Sequence, residues 1–221
     1  MSDVSGTWDS HWRTRGRGGL FGRVCEFFRL NFIAKAVDSY MNAYFPEEGV
    51  FVDLGCGSSQ TSTGVRKKRR VFVGFDISTE ALRASGDVPA VDLLVNADVK
   101  RIPFRDGSID GVWNLGVMEH FTDEESVGIL EEVHRVLKPG AYALLFWIPQ
   151  YSSSRFVLGP VEWLLSVFGF RFTFFPSEPG RIRSHSHLKS IFDRTRLELV
   201  KDEMTFRDAF IYLVVVCRKK V

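Results

Sequence analysis

Cysteine is scarce in this chain and follows no pattern: Cys25, Cys56 and Cys217 are an odd number of thiols far apart along 221 residues. No metal-ligand spacing and no disulfide framework can be read from them, which points to a reducing, cytoplasmic compartment. An excess of one charge is also missing. Lys and Arg number 29 against 27 Asp and Glu, a net +2. A protein working chiefly through nucleic acid or an acidic membrane would be less balanced. Residues 1–19 lack the apolar stretch of a signal peptide. The nearest approach to a membrane span, residues 156–175, is interrupted by Pro160, Glu162 and Arg171. The expectation is therefore a soluble chain with no transmembrane segment, peripheral membrane contact remaining open. Aromatic residues, by contrast, are plentiful: 20 Phe, 5 Trp and 5 Tyr. That surplus suggests an apolar pocket or a partner surface.

With 45% hydrophobic residues the chain is long enough for one large core. We read residues 1–221 as a single domain in four stretches: an arm and helix (1–45), a core (46–148), an aromatic-rich insertion (149–185), and a closing helix with two last strands (186–221). Ile33, Ala36, Val37, Tyr40, Met41 and Tyr44 share one helical face, which Pro46 and Gly49 stop. Short, nearly continuous apolar runs follow at 50–54, 71–75, 91–95, 111–115 and 141–148. Runs that are apolar on both alternating faces suit strands of a parallel sheet covered on both sides. Between the last two, Thr122-Asp-Glu-Glu125 forms a capping box, followed by an apolar stripe from Val127 to Leu137 that ends at Lys138-Pro-Gly140. A helix at 187–197 and strand-like segments at 199–206 and 209–218 close the chain. The fold class expected is α/β: a doubly wound, mostly parallel seven-stranded sheet with helices on both faces, interrupted by the insertion between strands five and six.

The first strand ends in Asp53-Leu54-Gly55-Cys56-Gly57-Ser58-Ser59. Gly55 and Gly57 permit a tight turn and admit a ligand against bare main chain, and a helix following them would aim its amides at that ligand. Asp76, at the end of the second strand, is placed to accept both hydroxyls of a ribose. These segments, with Val73-Gly-Phe-Asp-Ile-Ser78, Asn96-Ala-Asp-Val99, Ile102–Trp113, Gly116-Val-Met-Glu-His-Phe121 and Glu131–Gly140, stand in a familiar order. Over roughly residues 45–148 the chain resembles the class I S-adenosylmethionine-dependent methyltransferases of the branch acting on small molecules and lipids.

The resemblance implies a Rossmann-like methyltransferase fold and S-adenosylmethionine as cofactor, leaving as S-adenosylhomocysteine, with no metal. It implies that Asp53, Gly55, Cys56 and Gly57 flank the methionine part and that Asp76 holds the ribose. It puts Ile77 on the adenine, Asp98 and the Val99 amide at its amino edge, and Asn114 and Leu115 beneath the sulfonium. Ser59 stands where the family often has a third glycine. Glu119 and His120 lie where the acceptor meets the methyl group, either as acid–base catalysts or as braces of the pocket. The expected acceptor is small and apolar or lipid-like, with no nucleic-acid partner and a monomer or homodimer as the assembly. Methylation of RNA or protein, a silent cofactor-binding protein and, distantly, an NAD-dependent oxidoreductase are the alternatives. Trp8, Trp12 and Arg15 are candidates to fold over the cofactor. Cys56 reads as a small loop filler, Arg66–Arg70 as a solvated turn before a strand, and His134 as a surface or interface residue.

Overall fold

The computed structural model describes residues 4–15, 26–86, 88–153 and 178–221. Cys25 and the aromatic stretch 156–175 lie outside the described residues. The order of elements is α1 (Val4–Arg15), a π-helical turn (Arg29–Ile33) running into α2 (Ala34–Tyr44), β1 (Glu48–Leu54), β2 (Arg69–Asp76), α3 (Thr79–Ser85) and β3 (Leu93–Asn96). It continues through β4 (Ile109–Leu115), α4 (Asp123–Val136), β5 (Leu137–Trp147), α5 (His185–Phe192), β6 (Leu197–Met204) and β7 (Leu213–Lys219). Seven strands form one sheet in the order β3-β2-β1-β4-β5-β7-β6. The pairings β1 with β2 and β4, β2 with β3, and β4 with β5 are parallel, whereas β7 runs antiparallel to both β5 and β6.

Strand alternation divides the core between the two faces. Val52, Leu54, Val112, Leu145, Trp147 and Val215 belong to a cluster that includes Ile129, Leu130 and Val133 of α4 and Leu188 and Ile191 of α5. Phe51, Trp113, Leu144, Phe146, Val214 and Val216 face the other way, onto Ala36, Val37, Tyr40 and Met41 of α2. Many of the aromatics are spent in this second layer. Phe45 stacks on Phe51 at 5.0 Å between ring centroids, and Phe72 meets Trp113 edge-on at 5.1 Å. The surplus of rings is thus, in good part, core.

Two expectations need correction. The loop after β1 does not enter an α-helix: Gln60–Gly64 makes a short 3-10 turn. Its Ser-Gln-Thr-Ser-Thr-Gly sequence has poor helix formers, and only residues 55–68 separate the strands. Nor is Arg66–Arg70 wholly a solvated turn. β2 starts at Arg69, so alternation turns Arg70 inward. It is 1% exposed. Its Nε donates to Pro46 O (2.8 Å) and its Nη2 to Met41 O (3.1 Å) and Phe45 O (3.0 Å). A cation thereby caps the carbonyl end of α2 and fastens that helix to the sheet. The rest of the run is paired with acids: Arg66 with Asp38, Lys67 with Asp92, Lys68 with Glu47 and Arg69 with Glu48. The capping box is present as expected, with the Thr122 hydroxyl and Glu125 carboxylate each accepting from the other's amide.

Arg70→Ala leaves three buried or half-buried carbonyls without their donor, and should cost about 2–4 kcal/mol of folding free energy. Chemical denaturation measures it; a loss below about 0.5 kcal/mol would show that water replaces the guanidinium.

Candidate functional site

The carboxyl ends of β1 and β2 meet over a loop held in left-handed backbone at alternate residues: Gly55 (φ +72°), Gly57 (φ +53°) and Ser59 (φ +51°). Glycine enters that region freely, serine at some strain. Ser59 is held there by its hydroxyl, which bonds Ser85 Oγ of α3 at 3.0 Å, while Ser85 Oγ donates to Gly57 O at 2.7 Å. The missing third glycine is therefore replaced by a serine tied to the next helix. The loop is pinned to the neighbouring strand by Gly55 N and Cys56 N, which donate to Phe75 O at 2.8 and 3.0 Å. A side chain at Gly55 would begin 2.6 Å from a Val117 methyl, so the position tolerates none.

Asp76 closes this arrangement. Its Oδ2 accepts from Gly57 N (2.9 Å) and its Oδ1 from Ser78 N (2.8 Å). Burial raises its pKa, and these amides oppose the rise. Asn96, the register partner of Asp76, donates through Nδ2 to Asp76 O (3.0 Å) and Ile77 O (2.9 Å), which fixes the backbone where Ile77 sits. Asp53 is buried beside Asp76. Burial first, then the Asp76 charge, pushes it up to about 8 against a hydrogen bond from Ser62. Burial likewise raises the Cys56 thiol to about 12, so it is neither thiolate nor nucleophile.

Helix α1 lies across this edge. Ser5 Oγ donates to Ile77 O at 3.3 Å. Asp9 Oδ1 accepts from Ser78 Oγ (2.6 Å) and Glu80 N (3.2 Å) at the start of α3. Trp12 rests on Gly57, its ring 2.7 Å from where a Cβ would sit. Trp8 meets the His120 ring edge-on, at 5.0 Å and 72°.

Beyond the end of β4, Met118–His120 form a 3-10 turn. Glu119 is 1% exposed, and its pKa is pushed up to about 8 by burial, with the Glu178 charge adding to this and Arg181 and nearby amides opposing it. Arg181 pairs with Glu178, and Gly180 N donates to Glu119 O at 3.0 Å, drawing this ionic group under the end of β4. Glu119 Oε2 and both amide atoms of Asn114 are buried with no hydrogen-bond partner among the described residues.

Residues 52–145 match the family model described as "Methyltransferase domain". The chain is 34% identical over 109 residues to the uncharacterized methyltransferase sll0829 of Synechocystis sp. PCC 6803, covering 44% of this chain and 51% of that one. It is 31% identical over 102 residues to tRNA (carboxymethyluridine(34)-5-O)-methyltransferase ALKBH8 of Macaca fascicularis, covering 46% of this chain and 15% of that one. Magnesium protoporphyrin IX methyltransferase (ChlM) of Synechocystis PCC 6803, solved with bound S-adenosylhomocysteine, superposes with a TM-score of 0.64 at 15% identity, covering 98% of this chain and 96% of that one. The chain carries a methyltransferase domain over residues 52–145, with the fold of S-adenosylmethionine-dependent methyltransferases. It spans about half the length of the first of these relatives and far less of the second.

Within the methyltransferase domain, Asp53, Gly55, Cys56, Gly57, Asp76 and Ile77 come together at one sheet edge, with Asn114 and Leu115 at the end of adjacent β4. Asp98 is exposed just beyond β3, its Oδ1 accepting Lys100 N at 2.9 Å, and Val99 is buried beside it. The donor set fits the cofactor. Each Asp76 oxygen holds one amide and keeps a lone pair for a ribose hydroxyl. Asn114 is a buried amide of the kind that asks for a partner. Among the described residues no group of three or more His, Cys, Asp or Glu is placed to hold a metal. Sequence reasoning missed Asn96, Ser85, Ser5 and Asp9, whose residue types are ordinary outside their contacts. His134 is half-buried, and its Nδ1 has no hydrogen-bond partner among the described residues.

Asp53 and Glu119 keep their protons in the folded domain up to about pH 8, whereas unfolded carboxyls release theirs near about 4. Between those values the folded state binds more protons, so stability falls as pH rises. The thermal midpoint should drop by a few degrees from about pH 5.5 to about pH 8.5, and Glu119→Gln should remove part of the drop. A midpoint that climbs across that range would show both groups ionised in the fold.

Proposed function

We propose that this chain transfers a methyl group from S-adenosylmethionine to a small, apolar or lipid-like acceptor. The observation that carries the cofactor assignment is Asp76, a buried carboxylate oriented by the Gly57 and Ser78 amides at the strand end beside the glycine loop. In this reading Asp76 holds the ribose and Ile77 packs on the adenine. Asp98 and the Val99 amide read its amino edge, and Gly55, Cys56 and Gly57 flank the methionine part. Asn114 and Leu115 form the floor.

When bound, the cofactor supplies a methyl already activated by its sulfonium, so the protein's task is alignment, worth about 7–11 kcal/mol in favourable cases. Glu119 holds its proton at neutral pH and braces the end of β4 against the 178–181 segment. His120, under Trp8 at the carboxyl edge, is the residue to take a proton at a ring nitrogen from an acceptor that starts protonated. The free thiols of Cys56 and Cys217 agree with a cytoplasmic setting.

A second reading, methylation of RNA, is favoured by the tRNA-modifying relatives. Against it stands the position of the basic run 66–70, at the start of β2 and so at the sheet edge opposite Asp76, with its exposed cations already paired with acids. Calorimetric titration should show binding of S-adenosylhomocysteine and none of NADH. Asp76→Ala should weaken that binding by about 1–3 kcal/mol. Undiminished affinity in the folded variant would remove Asp76 from the site. With labelled S-adenosylmethionine, transfer to hydrophobic small molecules and not to bulk tRNA supports the first reading; transfer to tRNA alone overturns it.

A further inference from the structure

Helix α1 touches the carboxyl edge of the sheet at three points, one of them on the glycine loop. Ser5 holds the carbonyl of Ile77, Trp12 lies on Gly57, and Trp8 meets His120. In the reading above those are the adenine end, the methionine end and the acceptor side of one bound molecule, so α1 crosses it from end to end. What fastens the helix is Asp9. It accepts from Ser78 Oγ (2.6 Å), Glu80 N (3.2 Å) and Thr79 Oγ1 (3.4 Å), the first turn of α3. These hydrogen bonds hold its carboxyl below the usual carboxylate range, with the Ser78 hydroxyl the largest contributor. A carboxylate at a helix N-terminus is well placed.

Ser78 is shared between two carboxylates. Its hydroxyl goes to Asp9, and its amide goes to Asp76 Oδ1. Asp76 Oδ2 in turn accepts Gly57 N. A continuous series of hydrogen bonds therefore runs from α1 through Ser78 and Asp76 to the glycine loop. We infer that Asp9 is a positioning residue for the cofactor: by anchoring α1 on Ser78 and Glu80 it holds the helix as a cover over the bound nucleoside and fixes the Asp76 carboxylate, so that cofactor release requires this anchor to break. The inference rests on the cofactor reading of the Asp76 site.

Trp8 and Trp12 supply an intrinsic fluorescence signal for α1, so the test is stopped-flow binding and release of S-adenosylhomocysteine by the whole chain. Asp9→Ala should release it about tenfold faster, with association changed less than about threefold. Asp9→Asn, which keeps one acceptor oxygen, should fall between. Arg13→Ala, which removes an exposed ion pair with Glu80 and leaves the Asp9 hydrogen bonds in place, should match the wild type. Thermal unfolding without ligand should be nearly the same in all four proteins, since Asp9 serves the covering helix and not the core; this separates positioning from a general loss of structure. Release unchanged in Asp9→Ala, while the wild type binds, overturns the inference and leaves the cofactor reading standing. Tighter binding by Asp9→Ala also overturns it, since α1 would then be an obstruction to the site. Failure of the wild type to bind overturns both.

Discussion

One buried carboxylate ties the carboxyl edge of β1 and β2 together. Asp76 sits at the end of β2 with a loop amide on one oxygen and a helix-entry amide on the other. A charge so placed is costly unless it is hydrogen-bonded, and the two amides are what make it tolerable. They also decide the path of everything nearby. Gly57 must turn left-handed to reach it, Ser59 must follow in kind, and α3 must begin where Ser78 can present its amide. The neighbouring Asp53 cannot ionise comfortably, first because it is buried and then because its charge would face that of Asp76. Position, loop shape and protonation state follow from the same oxygen atoms.

The opposite edge is held by a different device. Arg70 gathers three carbonyls around the end of α2 and joins the first helix of the core to the second strand. One edge of the sheet is thus organised by a buried anion that backbone amides satisfy, the other by a buried cation that backbone carbonyls satisfy. Between them, alternation gives the central strands an apolar face for each helical layer.

Much of this could be read from residues alone. The strands were legible because a sheet covered on both sides demands apolar residues at successive positions, and Val50–Leu54 and Ala141–Ile148 supply them. The helix α4 was legible from its capping box. Arg70 was not, because a strand taken to begin at Val71 leaves it outside, and two residues' difference in where β2 starts decides whether it is solvent or core. The turn at Gln60–Gly64 stands where a helix was expected after the glycines, because its Ser and Thr residues are poor helix formers. The acid and glycines of the cofactor edge were visible as a pattern. Their supporting groups were not: Asn96, Ser85 and Asp9 owe their importance to partners nineteen to seventy-one positions away.

The position of β7 has a consequence for how the chain reaches this state. Among the described residues β6 pairs with β7, and β7 joins it to β5. Until residues 213–219 are available, β5 has an open edge at Leu144, Leu145 and Phe146, and β6 lacks the strand it pairs with. A nascent chain at that point carries an unpaired strand edge of the kind that seeks other chains. Closure comes with a strand inserted between two that preceded it, so the last segment of the sheet to be made is the one that joins its final two parts.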